Sequence, residues 1–504
     1  TYLDGAADEQ QTQRKKNSEI AYFEFMPIDH EQPHLGDDLP AGIMAIDDSY
    51  LYPNTRIYRD FKFGKHLHLA MTDFRTNRPD HIIAEDAFPG SVEIDQASLN
   101  GFLLGQNLPQ LQVDGVISQV SPYININDEQ FLPYKNAFIE IFTGLYYQEL
   151  STRVIKSSVV AWIQGKQRAI TAIDGNLATS YLNQVLVGAK ASLAADHPIQ
   201  QLPALPETGV EQGIAFYTLG KTSLFNYLGS RYFVIKDTYD LYAGFKEFMA
   251  AQQGESIQSG FDIAQTTWLT QSFSASTSTW KMLGSSVSFS PLMFDLSESR
   301  PDTGIAGLDF LLGSDAVPAA FKQRFYLEAD QWDGFPQYKS TLVEDLLSQF
   351  GVISLGGDVH SCYVTEHKAN STNGNKSFNF TTSSISSGTF GSFLEDGMNT
   401  LLSQIGEVSP ELAALPLYFD TLVETATKRD DIGDDLVFAR MWEHGVAIVE
   451  VDAEQVLVNF HNVNQKFGEI DLMTHSYYDT PDDFLALVSL HKFRVANGAL
   501  EKLI

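Results

Sequence analysis

The chain has 504 residues, and 43% of them are apolar, which is enough to bury a large core. It carries 33 Lys and Arg against 64 Asp and Glu, so its formal net charge is −31. This balance argues against binding to nucleic acid, because contacts with a phosphodiester backbone depend on clustered basic side chains. A single phosphate group remains a possible ligand if bound cations reverse the local field.

Cys362 is the only cysteine, which excludes an internal disulfide framework, and we interpret it as a buried structural thiol. No apolar run reaches the roughly 18 residues of a membrane span, so we expect no transmembrane segment. The polar start of the sequence lacks the pattern of a signal peptide, which favours a cytosolic protein or a mature or cleaved form.

The predicted elements alternate between strand and helix patterns. Residues 61–74 (FKFGKHLHLAMTDF) alternate as a strand does, and an arginine-bearing polar loop follows them. A helix-rich block is predicted from about 88 to 254. A helix over 338–350 leads into the buried strand 351–355, and 444–463 predicts a hairpin that turns at Asp452 to Gln455. The succession of helix and buried strand predicts an α/β fold.

The stretch LGGDVHSCYV places Asp358 and His360 just after the predicted buried strand. Strand ends in α/β sheets often carry ligand sites, because the strand fixes the position of the polar groups that follow it. A carboxylate and an imidazole at such an end can hold a cation. The spacing alone leaves two interpretations equally open, a capped turn and part of a metal site.

Several stretches, in this order, resemble the PhoD-like phosphatases, the alkaline phosphatase D family of the metallophosphoesterases. They include FKFGKHLHLAMTDFRTNRPDHIIAEDAFPG, WLTQSFSASTSTWKML, DQWDGFPQYKSTLVEDLL and LGGDVHSCYV, and they extend over nearly the whole chain. The resemblance implies a two-sheet α/β sandwich with an iron and calcium cluster (Fe³⁺ and Ca²⁺) at the strand ends. It also implies hydrolysis of phosphate monoesters or diesters by a secreted, extracellular or periplasmic bacterial enzyme acting on small phosphate-ester substrates.

Carried onto this sequence, the resemblance makes Asp358 and His360 the expected metal ligands. Arg75 and Arg78 follow the first predicted strand and are candidates to meet the substrate phosphate, because a guanidinium suits bidentate phosphate binding. Ion pairs of these arginines with Asp73 or Asp80 are the alternative, and we weigh the two equally.

Two further residues are candidate catalytic positions. Asp333, in WDGFP, is a candidate substrate contact or a support for another site residue, and Trp332 beside it is expected in the core or the pocket wall. His444, in WEHGV, is a candidate proton donor or anion contact, although a structural histidine is the more common case.

The sequence departs from the family pattern in lacking the three earlier metal motifs of the family. Calcium takes six to eight oxygen ligands, so Asp358 and His360 alone are too few for the cluster. We therefore expect an upstream fragment of the same precursor to supply the other ligands. The alternative is a non-catalytic structural or surface-assembly protein that reuses the phosphatase scaffold.

These observations predict three segments. Residues 1–87 are expected to form part of the metallophosphatase core, 88–254 a helix-rich insertion, and 255–504 the remainder of the core with its C-terminal hairpin. The sandwich expected here is the C-terminal portion of the family fold.

Overall fold

The computed structural model describes residues 12–26, 49, 51–84, 87–153, 158–220, 232–257, 259–405, 409–464 and 480–504. The chain divides into two compact units. The first unit consists of Thr1–His81 with Ser256–Ile504, and the second of Ile82–Glu255.

The strands, in chain order, are β1 (Arg59–Phe63), β2 (Leu67–Met71), β3 (Val92–Ile94), β4 (Ser121–Asn125), β5 (Asn176–Ala178), β6 (Gln212–Ala215), β7 (Val234–Ile235), β8 (Trp280–Gly284), β9 (Met293–Asp295), β10 (Arg324–Tyr326), β11 (Ile353–Gly356), β12 (Cys362–Glu366), β13 (Phe378–Thr381), β14 (Asp435–Arg440), β15 (Glu443–Val451), β16 (Val456–Asn464), β17 (Ser489–Ala496) and β18 (Ala499–Lys502).

The α-helices are α1 (Thr12–Phe25), α2 (Gln96–Gly105), α3 (Gln110–Ile117), α4 (Leu132–Arg153), α5 (Ser158–Ala172), α6 (Thr179–Ser192), α7 (Lys236–Ala251), α8 (Ile263–Ala275), α9 (Ala306–Gly313), α10 (Pro336–Leu342), α11 (Phe390–Ile405), α12 (Pro410–Ala413), α13 (Phe419–Ala426) and α14 (Pro481–Leu485). A π-helical turn, Val343–Ser348, continues α10.

The first unit contains a seven-stranded mixed sheet in the order β1-β2-β8-β11-β13-β12-β14. Strands β2, β8, β11 and β13 run parallel to one another, whereas β1 pairs antiparallel with β2, β12 with β13, and β14 with β12. A four-stranded antiparallel sheet, β15-β16-β17-β18, belongs to the same unit. These sheets and helices confirm the α/β class that the sequence predicts.

Two core clusters contain residues from opposite faces of the seven-stranded sheet. One cluster joins Met282 and Phe380 of this sheet to Phe460 and Phe493 of the four-stranded sheet. The other joins Leu283 to residues of α8 and α10. Because consecutive strand residues point to opposite faces, Met282 and Leu283 belong to different clusters. The apolar strands of this sheet are therefore buried on both sides.

The predicted elements of the first unit are largely present, with one correction. Residues 61–74 were expected to form one strand, but β1 and β2 form an antiparallel hairpin, because Gly64 takes a positive φ of 57° and the chain turns there. The predicted strand before Asp358 is β11, the predicted helix over 338–350 is α10 with its π-helical turn, and the predicted hairpin pairs Val451 with Val456.

The second unit combines the sheet β3-β6-β4-β5 with helices α2 to α7. Helices α4 and α5 pack closely because Gly165 faces α4: a Cβ there would lie 3.0 Å from the Tyr147 backbone nitrogen. Phe138 and Leu182 are fully buried in the core cluster of this unit. The division of the chain at 88 and 254 stays a prediction.

Within the described residues, no helix is long and apolar enough to cross a membrane. Cys362 is fully buried, and this burial raises the pKa of its thiol to about 12. A thiol in this environment is a poor nucleophile, which confirms its interpretation as a structural cysteine.

Candidate functional site

Two loops begin at the same edge of the seven-stranded sheet. Strands β2 and β11 both pair parallel with β8, one on each side of it, so their carboxyl ends lie at the same edge of the sheet. The ladder ends where Thr72 N donates to Gly284 O (3.0 Å) and Ser285 N donates to Leu355 O (2.8 Å). The segment 72–81 follows β2, and the segment 357–361 follows β11.

An aromatic contact brings a third segment to this edge. Trp332 is fully buried, its ring lies 4.4 Å from that of Phe74, and it stacks on Phe289 at 4.6 Å. Phe74 immediately precedes Arg75, and Trp332 lies two residues after Asp330. Burial of these rings therefore places the backbone of Arg75 near that of Asp330, and it assigns Trp332 to the core.

The loop that carries the arginines is held by Asp73, near its start. The Asp73 carboxylate accepts from Thr76 N at 3.1 Å and from Asn77 Nδ2 at 3.0 Å. The Asp73 main chain exchanges two hydrogen bonds with the buried Gln265 side chain, at 2.7 and 2.9 Å. Arg78 N donates to Phe74 O at 2.8 Å. Asp73 thus organises the turn itself.

Asp330 accepts donors from three side chains of this loop. Arg75 Nη1 lies 2.5 Å from Asp330 Oδ2, Arg78 Nη2 lies 2.9 Å from Oδ1, and His81 Nε2 lies 2.7 Å from Oδ1. The side chains of Arg78 and His81 are mostly buried, whereas that of Arg75 is 35% exposed. Arg75 is therefore the member of this group that is open to a ligand from solvent.

The pKa values of the neighbouring carboxyl groups Asp330 and Glu328 are shifted in opposite directions. Burial alone would raise the pKa of Asp330, but the His81 hydrogen bond and the charges of Arg78 and Arg75 lower it below its ordinary value. Burial, and then the charge of Asp330, raise the pKa of Glu328 well above its ordinary value. The site thus holds a carboxylate of lowered pKa, Asp330, next to a buried carboxyl group of raised pKa, Glu328.

Arg75 also reaches the loop after β11. Its Nη2 donates to Asp358 Oδ2, so one guanidinium joins Asp330 to Asp358. Asp358 and His360 both have positive φ, 74° and 55°, in a region that non-glycine residues seldom adopt. Strained backbone of this kind gathers at ligand and active sites, where the fold imposes it.

His360 has one nitrogen engaged by the fold. Its Nδ1 lies 2.7 Å from Gly388 O, and its ring packs against Phe393 at 5.8 Å. A carbonyl only accepts hydrogen bonds, so Nδ1 carries the proton and a neutral ring presents the Nε2 lone pair. This second hydrogen bond is the arrangement that metal-binding histidines use to fix their tautomer.

The other two candidate positions lie within the packed fold. Asp333 is 4% exposed, its Oδ1 binds Lys339 Nζ at 2.6 Å, and its Oδ2 accepts from Leu292 N at 2.8 Å. Both oxygens are engaged, so its geometry supports a structural ion pair. His444 is buried at the start of β15, where it pairs in register with Val463.

Sequence reasoning missed Asp330, His81 and Glu328. Asp330 and Asp333 occupy the same short stretch, DQWDGFP, and the choice of Asp333 rested on that stretch alone. In the structure Asp330 faces the arginine loop, whereas Asp333 pairs with Lys339. A sequence does not show which of two aspartates faces the arginine loop.

Asp358 and His360 are the two candidate metal ligands at this edge of the sheet. In the described part of the chain, no group of three or more His, Cys, Asp or Glu side chains could hold a metal ion. Asp358 offers oxygen and His360 offers nitrogen, which suits part of an iron or calcium site but not a complete one. The described residues therefore do not form a full metal centre.

Comparison with known proteins gives one family and one solved structure. No curated protein matches the chain. A solved structure described as "Structure of PhoD" has 14% sequence identity and a TM-score of 0.28, and the match covers 48% of this chain and 35% of that chain. The chain thus spans about a third of the length of that structure. The model of the PhoD-like phosphatase family matches residues 2–107 and 218–456, which include Arg75, Asp330 and Asp358. The chain belongs to the PhoD-like phosphatase family.

Proposed function

We propose that this chain takes part in the hydrolysis of phosphate esters, and that the edge of the sheet where Arg75 lies is the reacting site. The observation that carries the proposal is the guanidinium of Arg75, which is partly exposed and lies between Asp330 and Asp358. A fixed guanidinium offers parallel N–H donors to two oxygens of one phosphate group. Membership of the PhoD-like family supports the same reaction class.

The side chains of the site have different tasks under this proposal. Arg75 binds the phosphate group and offsets the charge that develops on its oxygens. Arg78 and His81 hold Asp330, and Asp330 in turn orients Arg75 through the 2.5 Å contact with Nη1. A substrate bound against Arg75 is therefore positioned by groups that the fold already fixes.

We propose that Asp358 and His360 are metal ligands, with Ca²⁺ and Fe³⁺ as the expected metals. A bound cation of this kind polarises a phosphoryl oxygen and lowers the pKa of a coordinated water. The other ligands would come from beyond the described residues, such as an upstream segment of the precursor. His360 supports the assignment because its Nδ1 is already bonded to Gly388 O, which leaves Nε2 as the ligand atom.

The wider proposal follows the family. It comprises a two-sheet metallophosphoesterase sandwich with a helix-rich insertion over 88–254, and a small phosphate monoester or diester as substrate. The proposed location of the protein is extracellular or periplasmic. The core cluster that joins the seven-stranded and four-stranded sheets supports the sandwich.

A non-catalytic scaffold is the second candidate. It is favoured by one observation: the residues that the structure describes contain no metal-binding group of three or more donors. Such a protein would retain the fold and bind no stoichiometric iron. Elemental analysis of the purified chain separates the two candidates.

The test replaces Asp358 with Ala and measures hydrolysis of an aryl phosphate ester together with bound iron and calcium. We expect the substitution to abolish turnover and to reduce the metal content. Asp80→Ala is the matched control, because Asp80 lies on the exposed loop and accepts from the adjacent His81 N. Full activity of Asp358→Ala with unchanged metal content would overturn the proposal.

A further inference from the structure

We propose that the exposed face of helix α5, in the second unit, binds the surface of an anionic lipid bilayer. This α5 face consists of large apolar side chains and one lysine, namely Val159, Val160, Trp162, Ile163, Lys166 and Ile170. The inference goes beyond the proposed function, because it concerns neither Arg75 nor the hydrolysis of an ester.

Helix α5 buries its small residues and exposes its large ones. The buried residues recur at every fourth position, on the side that faces α4, and are Ala161, Gly165 and Ala169. On the other side, Val159 is 66% exposed, Ile163 57% and Trp162 48%. A surface helix of a globular protein usually turns its large apolar side chains toward the core. The opposite arrangement in α5 indicates a surface that binds a partner.

The exposed apolar side chains of α5 form one stripe along the helix. At 3.6 residues per turn, Val159, Ile163 and Ile170 lie within about 40° of one another around the axis. Lys166 lies beside this stripe, and its ammonium is 5.2 Å from the centre of the Trp162 ring. A helix that lies in a membrane interface combines the same groups, because its apolar side chains enter the acyl boundary, its tryptophan rings lie at headgroup level and its lysine stems reach the phosphates.

The charge of this part of the chain differs from that of the whole. The full chain has a net charge of −31, but between Glu149 and Asp174 the sequence contains no acidic residue and four basic ones, Arg153, Lys156, Lys166 and Arg168. Screening at physiological salt acts over about 8 Å, so carboxylates farther away than this weaken the local attraction little. A basic, apolar surface complements anionic lipid headgroups. A second copy that met this face with its own would bring like charges together.

The experiment measures binding of the full chain to lipid vesicles by flotation and by tryptophan fluorescence. The vesicles contain phosphatidylcholine alone, or phosphatidylcholine with one third phosphatidylglycerol. We expect the wild type to bind the anionic vesicles about fivefold or more tightly than the neutral ones, and to lose this preference as the salt concentration rises. Binding should shift the tryptophan emission to the blue, because Trp162 leaves water while Trp332 and Trp442 are already buried.

Two variants test the α5 face, each with a control that makes the same kind of change elsewhere. We expect Trp162→Ser to weaken binding to the anionic vesicles about tenfold or more and to abolish the blue shift. We expect Lys166→Gln to weaken it about fivefold, the effect of one basic residue near an anionic surface. The controls are Phe310→Ser, at an aromatic residue of α9 that is 80% exposed, and Lys62→Gln, at an exposed lysine of β1. Both should bind as the wild type does, and circular dichroism confirms that each variant is folded.

Four results would overturn the inference. These are absence of binding to the anionic vesicles, equal binding to both kinds of vesicle, and a loss of binding in a control as large as that in its α5 counterpart. The fourth is a dimer of the free protein in analytical ultracentrifugation that Trp162→Ser dissociates, which would assign the α5 face to a second copy. If Trp162→Ser does not fold, Ile163→Ser makes the same test: weaker binding supports the inference, and unchanged binding overturns it.

Discussion

Asp330 and Asp358 bind opposite ends of the Arg75 guanidinium, the first through Nη1 and the second through Nη2. They come from different segments, one before the buried Trp332 and the other after β11. Arg75 therefore links the loop after β2 to two later connecting segments, the one that contains Asp330 and the one that contains Asp358. A single exposed arginine held between two carboxylates is prepared to bind a third anion, because its orientation is already fixed.

Asp330→Asn is expected to destabilise the protein at neutral pH. The ionised carboxylate accepts from three side chains, and the pKa of Asp330 lies below its ordinary value of 3.8. Its stabilisation is therefore fully present above pH 3.8 and is lost as the pH falls through the lowered folded-state pKa. At pH 7 we expect a loss of about 1–3 kcal/mol in the free energy of unfolding. Urea unfolding from pH 7 to pH 3 checks this, and a difference that grows on acidification would contradict it.

Asp420→Asn, in contrast, is expected to stabilise the protein at neutral pH. Burial raises the pKa of Asp420 from 3.8 to about 6, although its Oδ1 accepts from Met441 N at 2.8 Å. The contribution of Asp420 to wild-type stability should therefore be greatest below pH 3.8 and should be lost as the pH rises through about 6. Asparagine keeps the acceptor without the charge, so the variant should be more stable at pH 7 by up to about 3 kcal/mol. Denaturant unfolding at pH 4 and pH 7 measures this, and a variant that is less stable at pH 7 would refute it.

The Asp333–Lys339 pair offers a test of the structural interpretation of Asp333. Both side chains are under 10% exposed, and their charged atoms lie 2.6 Å apart. Asp333→Ala leaves a buried ammonium without its partner, which should cost about 3–5 kcal/mol of unfolding free energy. The double variant Asp333→Ala/Lys339→Met should recover part of this loss. A double variant as unstable as the sum of its two single variants would show that the pair is not coupled.

The strand and helix pattern of the first unit could be predicted because its elements are bounded by clear signals. Strand β11 is a short apolar run after a helix, and the β15–β16 hairpin alternates on both sides of its turn. The β1–β2 hairpin was predicted as one strand, because a single glycine inside an alternating run does not by itself indicate a reversal of the chain.

The site could be predicted only where a motif lies at the end of a strand. Asp358, His360 and Arg75 follow strands, so their place in the sequence was enough to propose them as site residues. Asp330 lies between β10 and α10, and its meeting with Arg75 depends on a contact between Phe74 and Trp332, which are 258 residues apart. Long-range aromatic packing of this kind leaves no local pattern in the sequence.

The role of Arg75 in catalysis is tested by the rate of aryl phosphate ester hydrolysis in Arg75→Gln, with iron and calcium supplied. Arg168→Gln is the matched control, because Arg168 pairs with Glu149 at 3.2 Å on an exposed surface of the second unit. We expect Arg75→Gln to lose about 100-fold or more in kcat/KM, as removal of a fixed oxyanion donor does, and Arg168→Gln to retain the wild-type rate. An Arg75→Gln enzyme that hydrolyses the ester as fast as the control would contradict the assignment of the site.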